Sequence, residues 1–138
     1  MRTALLWLTL GACLPLTAGC NEASNRRGLE GSVTLDGAPL AEGSIAFVPL
    51  PGTKGPPAGG PIRDGLYRVS PDDGTFVGKF SVSIKASRKT GRKEQDSMGN
   101  LVDQFEQYIP RRYNRDTRLN AEVTESGPNR FDFELDSK

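Results

Sequence analysis

After Leu29, apolar residues recur at every second position, in runs too short for anything but extended strands. Gly31, Val33 and Leu35 alternate with Glu30, Ser32 and Thr34 until Asp36-Gly37 stops the run. Phe80, Val82 and Ile84 alternate with Ser81, Ser83 and Lys85, and Leu119, Ala121 and Val123 with Asn120, Glu122 and Thr124. Phe131, Phe133 and Leu135 repeat the pattern near the end. A period of two turns one face of a strand to a core and the other to water, whereas a helix needs a period of 3.6. The punctuation agrees: Asp36-Gly37 and Asp64-Gly65 are two-residue hairpin signals, the second joining Ile62-Arg63 to Leu66–Val69. Pro71-Asp72-Asp73-Gly74 and Ser126-Gly127-Pro128-Asn129 are further turns.

Three segments depart from this rhythm. Ile45-Ala46-Phe47-Val48 is apolar at each position, which predicts a strand buried on both faces. Pro51–Pro61 holds four prolines and four glycines, which predicts an exposed loop, with a polyproline ligand for an SH3-like partner as the alternative. Arg88–Gly99 is polar and reads as an excursion, after which Leu101, Val102, Phe105, Tyr108 and Ile109 recur at helical spacing. Asn100 stands as an N-cap and Pro110 as a stop, so a short helical excursion is expected around 100–109. The fold expected is all-β, an antiparallel sandwich of about seven strands.

The N-terminus carries an address. Arg2 precedes Ala4–Leu16, an uncharged run of about 13 residues where a membrane-spanning helix needs about 20. With Thr17-Ala18-Gly19 behind it, the segment reads as a cleaved secretory signal, and a buried N-terminal helix is the alternative. Leu16-Thr17-Ala18-Gly19-Cys20 resembles a bacterial lipobox, in which a signal peptidase cuts before a diacylglyceryl-modified cysteine. Gly19 fits the small residue required before the cysteine; Thr17 stands where leucine is usual. The organisation expected is a lipoprotein signal over 1–19, a tether over 20–28 and a sandwich over 29–138, lipidated at Cys20 and anchored in the cell envelope. Two or more acyl chains make such anchoring stable.

Composition then narrows the function. Cys13 leaves with the signal and Cys20 takes the lipid, so the domain holds no cysteine pair for a disulfide. There is no histidine, which excludes imidazole bases and imidazole metal sites. Of 18 Lys+Arg, loss of Arg2 leaves 17 against 17 Asp+Glu, a balance that does not point to nucleic acid.

The order of motifs resembles a family of small lipoproteins, abundant in planctomycete bacteria, with a transthyretin-like or carboxypeptidase-regulatory-like domain. The matching residues are Gly31–Leu40, Ile45–Pro49, Asp64–Val69, Gly78–Ile84, the box Ile109-Pro110-Arg111-Arg112-Tyr113-Asn114, Leu119 and Phe131–Leu135. The resemblance covers nearly all of 29–135. It implies an envelope-anchored domain of unassigned role and brings no catalytic site with it. Relatives by fold include a urate-pathway hydrolase and intradiol dioxygenases, whose histidines this chain lacks. Pilin-type domains form a Lys–Asn cross-link, for which Leu29–Leu35 offers no lysine.

Two basic clusters are the candidate binding residues. Lys85, Arg88, Lys89, Arg92 and Lys93 form one, and Arg111, Arg112, Arg115 and Arg118 the other. They would grip an anionic envelope polysaccharide, or else form a solvated face offset by Glu94, Asp96, Asp103, Glu106 and Asp116. Asp64, Asp72 and Asp73 lack the spacing of a calcium loop and read as turn residues. Tyr113 is either a ligand-facing aromatic or a ring packed on the sandwich with its hydroxyl against backbone. The function expected is a non-catalytic structural or interaction module at the membrane, without cofactor or metal, with envelope proteins or polysaccharide as partners.

Overall fold

The computed structural model describes residues 25–138, and the signal segment and Cys20 lie outside them. Ten strands follow in order: β1 (Leu29–Leu35), β2 (Ala38–Pro39), β3 (Glu42–Pro49), β4 (Ala58–Arg63), β5 (Leu66–Val69), β6 (Gly78–Lys85), β7 (Ser87–Gln95), β8 (Leu101–Gln107), β9 (Leu119–Val123) and β10 (Phe133–Leu135). Eight form one sheet in the order β10-β1-β5-β4-β3-β6-β9, with β2 on β1, curled into a half-barrel or sandwich. The fold is all-β and largely antiparallel, as the alternating pattern predicts.

The alternation decides what fills the curl. Phe80, Val82 and Ile84 of β6 are wholly buried, and Ile45 and Phe47 of β3, Leu29 and Val33 of β1 and Val123 of β9 close around them. Each such side chain contributes about 1.5–3 kcal/mol by leaving water. Both Asp-Gly turns form as tight hairpins: Asp36, Gly37, Asp64 and Gly65 all take positive φ, the backbone that a two-residue turn with the twist of its strands demands. Ser70 accepts the Asp73 N–H through its side chain and so caps the short 3-10 turn Pro71–Asp73.

Four expectations are corrected. In β3 only Ile45 and Phe47 face the core; Val48 is half exposed, and Ala46 also faces outward, because this strand covers the core on one side only. The Pro/Gly segment is a loop only as far as Pro57, since Ala58–Arg63 is a strand paired with β3 from Phe47↔Ala58 to Glu42↔Arg63. Glycine suits it there: a Cβ on Gly59 would stand 2.4 Å from the Ile45 carbonyl oxygen. Asp64 N–H donates to Ala41 O, so alternation turns the Pro61 nitrogen toward β5, just past the last β4–β5 pair, Ile62↔Tyr67. A residue without an N–H costs least where the ladder has ended.

The third correction is the helix expected around 100–109. Leu101–Gln107 is instead β8, paired antiparallel with β7 in a separate two-stranded hairpin. Asn100 caps no helix; its N–H donates to the Asp96 carboxylate at 2.9 Å inside the hairpin turn. The partner strand decided the matter, because β7 sets opposite charges across from β8. The fourth is the tether. Arg27 exchanges two backbone hydrogen bonds with Thr75, at 2.6 and 3.2 Å, so the ordered fold begins before Leu29.

The C-terminal strand closes the sheet by lying parallel, not antiparallel, to β1, in the register Val33↔Phe133 to Leu35↔Leu135. It is drawn in at Gly31. A Cβ there would fall 1.8 Å from the Phe131 carbonyl oxygen, which instead accepts the Tyr67 hydroxyl at 2.7 Å. Phe47 joins this cluster, its ring centroid 5.9 Å from Tyr67 and 6.1 Å from Phe131. Gly31→Ala is therefore expected to cost at least the 1–3 kcal/mol typical of overpacking, since the obstacle is backbone. Tyr67→Phe should cost about 1–3 kcal/mol by orphaning a carbonyl. Urea unfolding of both variants checks this, and a Gly31→Ala protein as stable as the parent would refute the close approach.

Candidate functional site

The sheet has two distinct ends. β6 starts at Gly78, beside the Gly52–Lys54 turn, and ends at Lys85, where β7 begins. The entering chain at Arg27–Thr75, the turns before β4 and β6, and the turn after β9 lie at one end. The Asp36-Gly37 and Asp64-Gly65 turns and the β7–β8 hairpin lie at the other. Eight strand residues at about 3.3 Å each separate the two ends by roughly 26 Å.

The hairpin is an arm with no third strand beside it among the described residues. Its base is held by Ala86 N–H to Gln107 Oε1 at 2.8 Å and Tyr108 N–H to Ala86 O at 3.1 Å, above the buried Ala86 and Ile109. Its pairing slips between Lys89 and Lys93, where Thr90 Oγ1 turns back onto Gln104 and Gly91 takes a positive φ. Such a bulge twists the arm away from the sandwich. At its tip the Asp96 carboxylate accepts the Met98 and Asn100 N–H groups, both at 2.9 Å, and these bonds hold it below the usual carboxylate pKa.

The arm concentrates exposed apolar surface. Of the large hydrophobic side chains left open in the described residues, Met98, Leu101, Val102 and Phe105 all belong to it, with Met98 85% and Leu101 68% exposed. Leu101 and Phe105 share one face of β8. Beneath that face a cleft of ≈ 900 Å³ separates arm from sandwich, lined by Ala41, Glu42, Arg63, Asp64, Ser87, Arg88, Lys89, Phe105 and Tyr108.

The first basic cluster falls on this arm but is largely matched there. Arg88 Nε meets Glu106 Oε1 at 2.8 Å, with its guanidinium 5.4 Å from the Tyr108 ring centre. Lys89 and Lys93 both reach Asp103, each at 2.6 Å. Lys85 lies at the end of β6 beside Glu42 and Arg63, and Arg92 projects from the bulge. The second cluster stands elsewhere. Arg111 pairs with Asp116 at 3.2 Å. Arg112 donates to the carbonyls of Asp136 and Lys138 and covers the Tyr113 ring at 4.8 Å. Arg115 and Arg118 are exposed. The clefts at the arm draw on Lys85, Arg88, Lys89 and Arg92 and on no residue of the second group.

The other singled-out residues have structural work. Asp64 and the pair Asp72/Asp73 stand at opposite ends of β5, and the described residues hold no group of three metal-ligating side chains. Tyr113 packs against the core and its hydroxyl accepts the Asp136 N–H at 3.1 Å. Asn114 donates to the Ile109 and Pro110 carbonyls at 3.2 and 3.0 Å, which explains the Ile109–Asn114 box as a capped turn. No helix among the described residues is long and apolar enough to cross a membrane.

No family model matches the chain, and no curated protein matches it. Among solved structures it is similar to a 9R-lipoxygenase from Cyanothece PCC8801, at 12% identity and a TM-score of 0.37. That likeness covers 81% of this chain and 16% of the lipoxygenase, and it is too slight to inform fold or activity.

Asp103 gives a direct check on the arm. Hydrogen bonds from Lys89 and Lys93, and then their charges, lower its pKa from 3.8 to about 2. Because the folded value lies below the unfolded one, the stabilisation is complete above pH 3.8 and is lost as pH falls toward 2. Carboxyl NMR titration should find the Asp103 midpoint near 2. An ordinary midpoint would mean that the two ammonium groups do not hold it in solution.

Proposed function

We propose that this chain is a non-catalytic interaction module of the cell envelope, exported, acylated at Cys20 and anchored to a membrane through that lipid. The order of its motifs resembles that of small planctomycete-type lipoproteins with a transthyretin-like domain. The observation that carries the reading is the β7–β8 arm. A two-stranded hairpin without further strands is marginal in water, yet this one bears exposed Leu101, Phe105 and Met98 at the end of the sandwich remote from the entering chain. Surface of that kind marks an interaction site. A chain entering at one end and an arm projecting from the other suit a module tethered behind and engaged in front.

The arm's chemistry favours a protein partner over an anionic polysaccharide. Arg88, Lys89 and Lys93 are already bound to Glu106 and Asp103, and a polyanion would have to displace those carboxylates. Apolar side chains and the free edge of β8 offer the alternating contacts that an extended protein segment uses. The absence of histidine and of any spacing that names a reaction supports a role in binding, not chemistry.

Two measurements test this. Wild-type protein from the membrane fraction should begin at Cys20 and carry the mass of a diacylglyceryl group, whereas Cys20→Ser should move to the soluble fraction. An unmodified start, or full membrane retention of Cys20→Ser, defeats the anchor. A photoreactive side chain at Phe105 should cross-link in intact cells to a discrete envelope protein, while one at Val48, on the outer face of β3, should not. Equal or absent yields from both sites would remove the role given to the arm.

A further inference from the structure

We infer that the end of the sandwich where the chain enters is a membrane-resting face, seated on phospholipid head groups through Phe76 and Val77. This rests on the acylation of Cys20 proposed above and adds which face of the domain the bilayer meets.

Phe76 and Val77 are consecutive, 37% and 40% exposed, and lie between the 3-10 turn and β6. They line a cavity of ≈ 520 Å³ with Asn25, Arg27, Gly52, Thr53, Lys54, Gly78 and Glu125. Asn25 is where the described chain begins, so this apolar pair opens beside the route to Cys20. Five residues span at most about 17 Å even fully extended, so an acylated Cys20 keeps this face within that distance of the lipid. The arm's apolar surface lies some 26 Å further away at the opposite end of β6, beyond the same reach.

The pair is firmly presented. Thr75 is wholly buried, its hydroxyl donates to the Pro56 carbonyl at 2.7 Å, and its backbone bonds Arg27 in both directions. On the other side Thr53 Oγ1 accepts the Lys79 N–H at 3.0 Å and donates to the Lys79 carbonyl at 2.9 Å. The charged side chains on this cavity are Arg27, Lys54 and Glu125, with Lys54 exposed at the rim. The buried Nε of Arg27, on the cavity wall, has no hydrogen-bond partner among the described residues. Lys54 at the rim can meet head-group phosphates, and the Phe76 and Val77 side chains suit the boundary between head group and acyl chain. Two side chains are too few to hold a protein at a membrane, so the lipid anchors and this face orients.

The test uses the acylated chain in vesicles of phosphatidylcholine and phosphatidylglycerol brominated on their acyl chains. Trp7 is the sole tryptophan and leaves with the signal, so Phe76→Trp, Val77→Trp and Phe105→Trp each report from one place. We expect the two former variants to shift to the blue and lose most of their emission to the brominated lipid, with Phe105→Trp unchanged. Vesicle-bound protein with no quenching at either residue 76 or 77 overturns the inference while leaving the anchor intact. Equal quenching at 105 overturns it too, as does a blue shift that needs no lipid and grows with protein concentration, which would make the face a contact between copies. Failure of the acylated chain to sediment with vesicles instead defeats the anchor, and this face with it.

Discussion

The last strand has three residues with which to hold itself to the sheet, and it depends on a bond made upstream of it. Tyr67 Oη donates to the Phe131 carbonyl at 2.7 Å over the bare Cα of Gly31. Burial raises the pKa of that hydroxyl well above its ordinary value, so it stays a donor at any physiological pH. Around it the rings of Phe47 and Phe131 close the core, and the Asp132 carboxylate accepts both the N–H and the hydroxyl of Ser32 at 2.8 Å. Those bonds hold Asp132 below its usual pKa. With the C-terminal segment seated, β10 runs parallel to β1, and Val33 of β1 and Leu135 of β10 are both buried. The half-barrel is closed by a glycine, a tyrosine and a carbonyl more than by the strand's own ladder.

A sheet closed in this way has two ends with different chemistry. One gathers the entering chain, the pinned Thr53 and Thr75 loops and the Phe76–Val77 pair; the other carries the tight Asp-Gly turns and the arm. The eight residues of β6 connect them as a rigid spacer, its Phe80, Val82 and Ile84 inaccessible to water. The arm is thus held at a set distance and direction from the entering chain.

Charge in this molecule is settled locally. Asp103 takes two lysines, Glu106 takes Arg88, and Asp116 takes Arg111, all at exposed positions where single ion pairs contribute little to stability. On the arm their value is register. Arg88↔Glu106 and Lys93↔Asp103 face one another across the strands, so sliding β8 by one residue would separate both pairs. That accounts for a polar hairpin outside the core.

Strand class, both Asp-Gly hairpins and the core faces of β1, β6 and β9 were legible in the residues, because a period of two and a positive-φ turn are local properties. The same locality misled at Leu101–Ile109, whose spacing suits a helix equally well; β7, pairing from a turn away, made it a strand. Ala58–Arg63 reads as a loop until β3 lies beside it, with the Ile45 carbonyl where a side chain on Gly59 would be. The basic clusters were visible as composition, but a charge's partner across a strand is a fact of pairing, and pairing turned most of the first cluster inward on itself. The sequence alone marks Cys20, the absence of histidine and the alternating strands. Only tertiary structure set β10 parallel to β1, put the arm and the entering chain at opposite ends and gathered Phe76 and Val77 beside Asn25, because each depends on segments distant in sequence meeting in space.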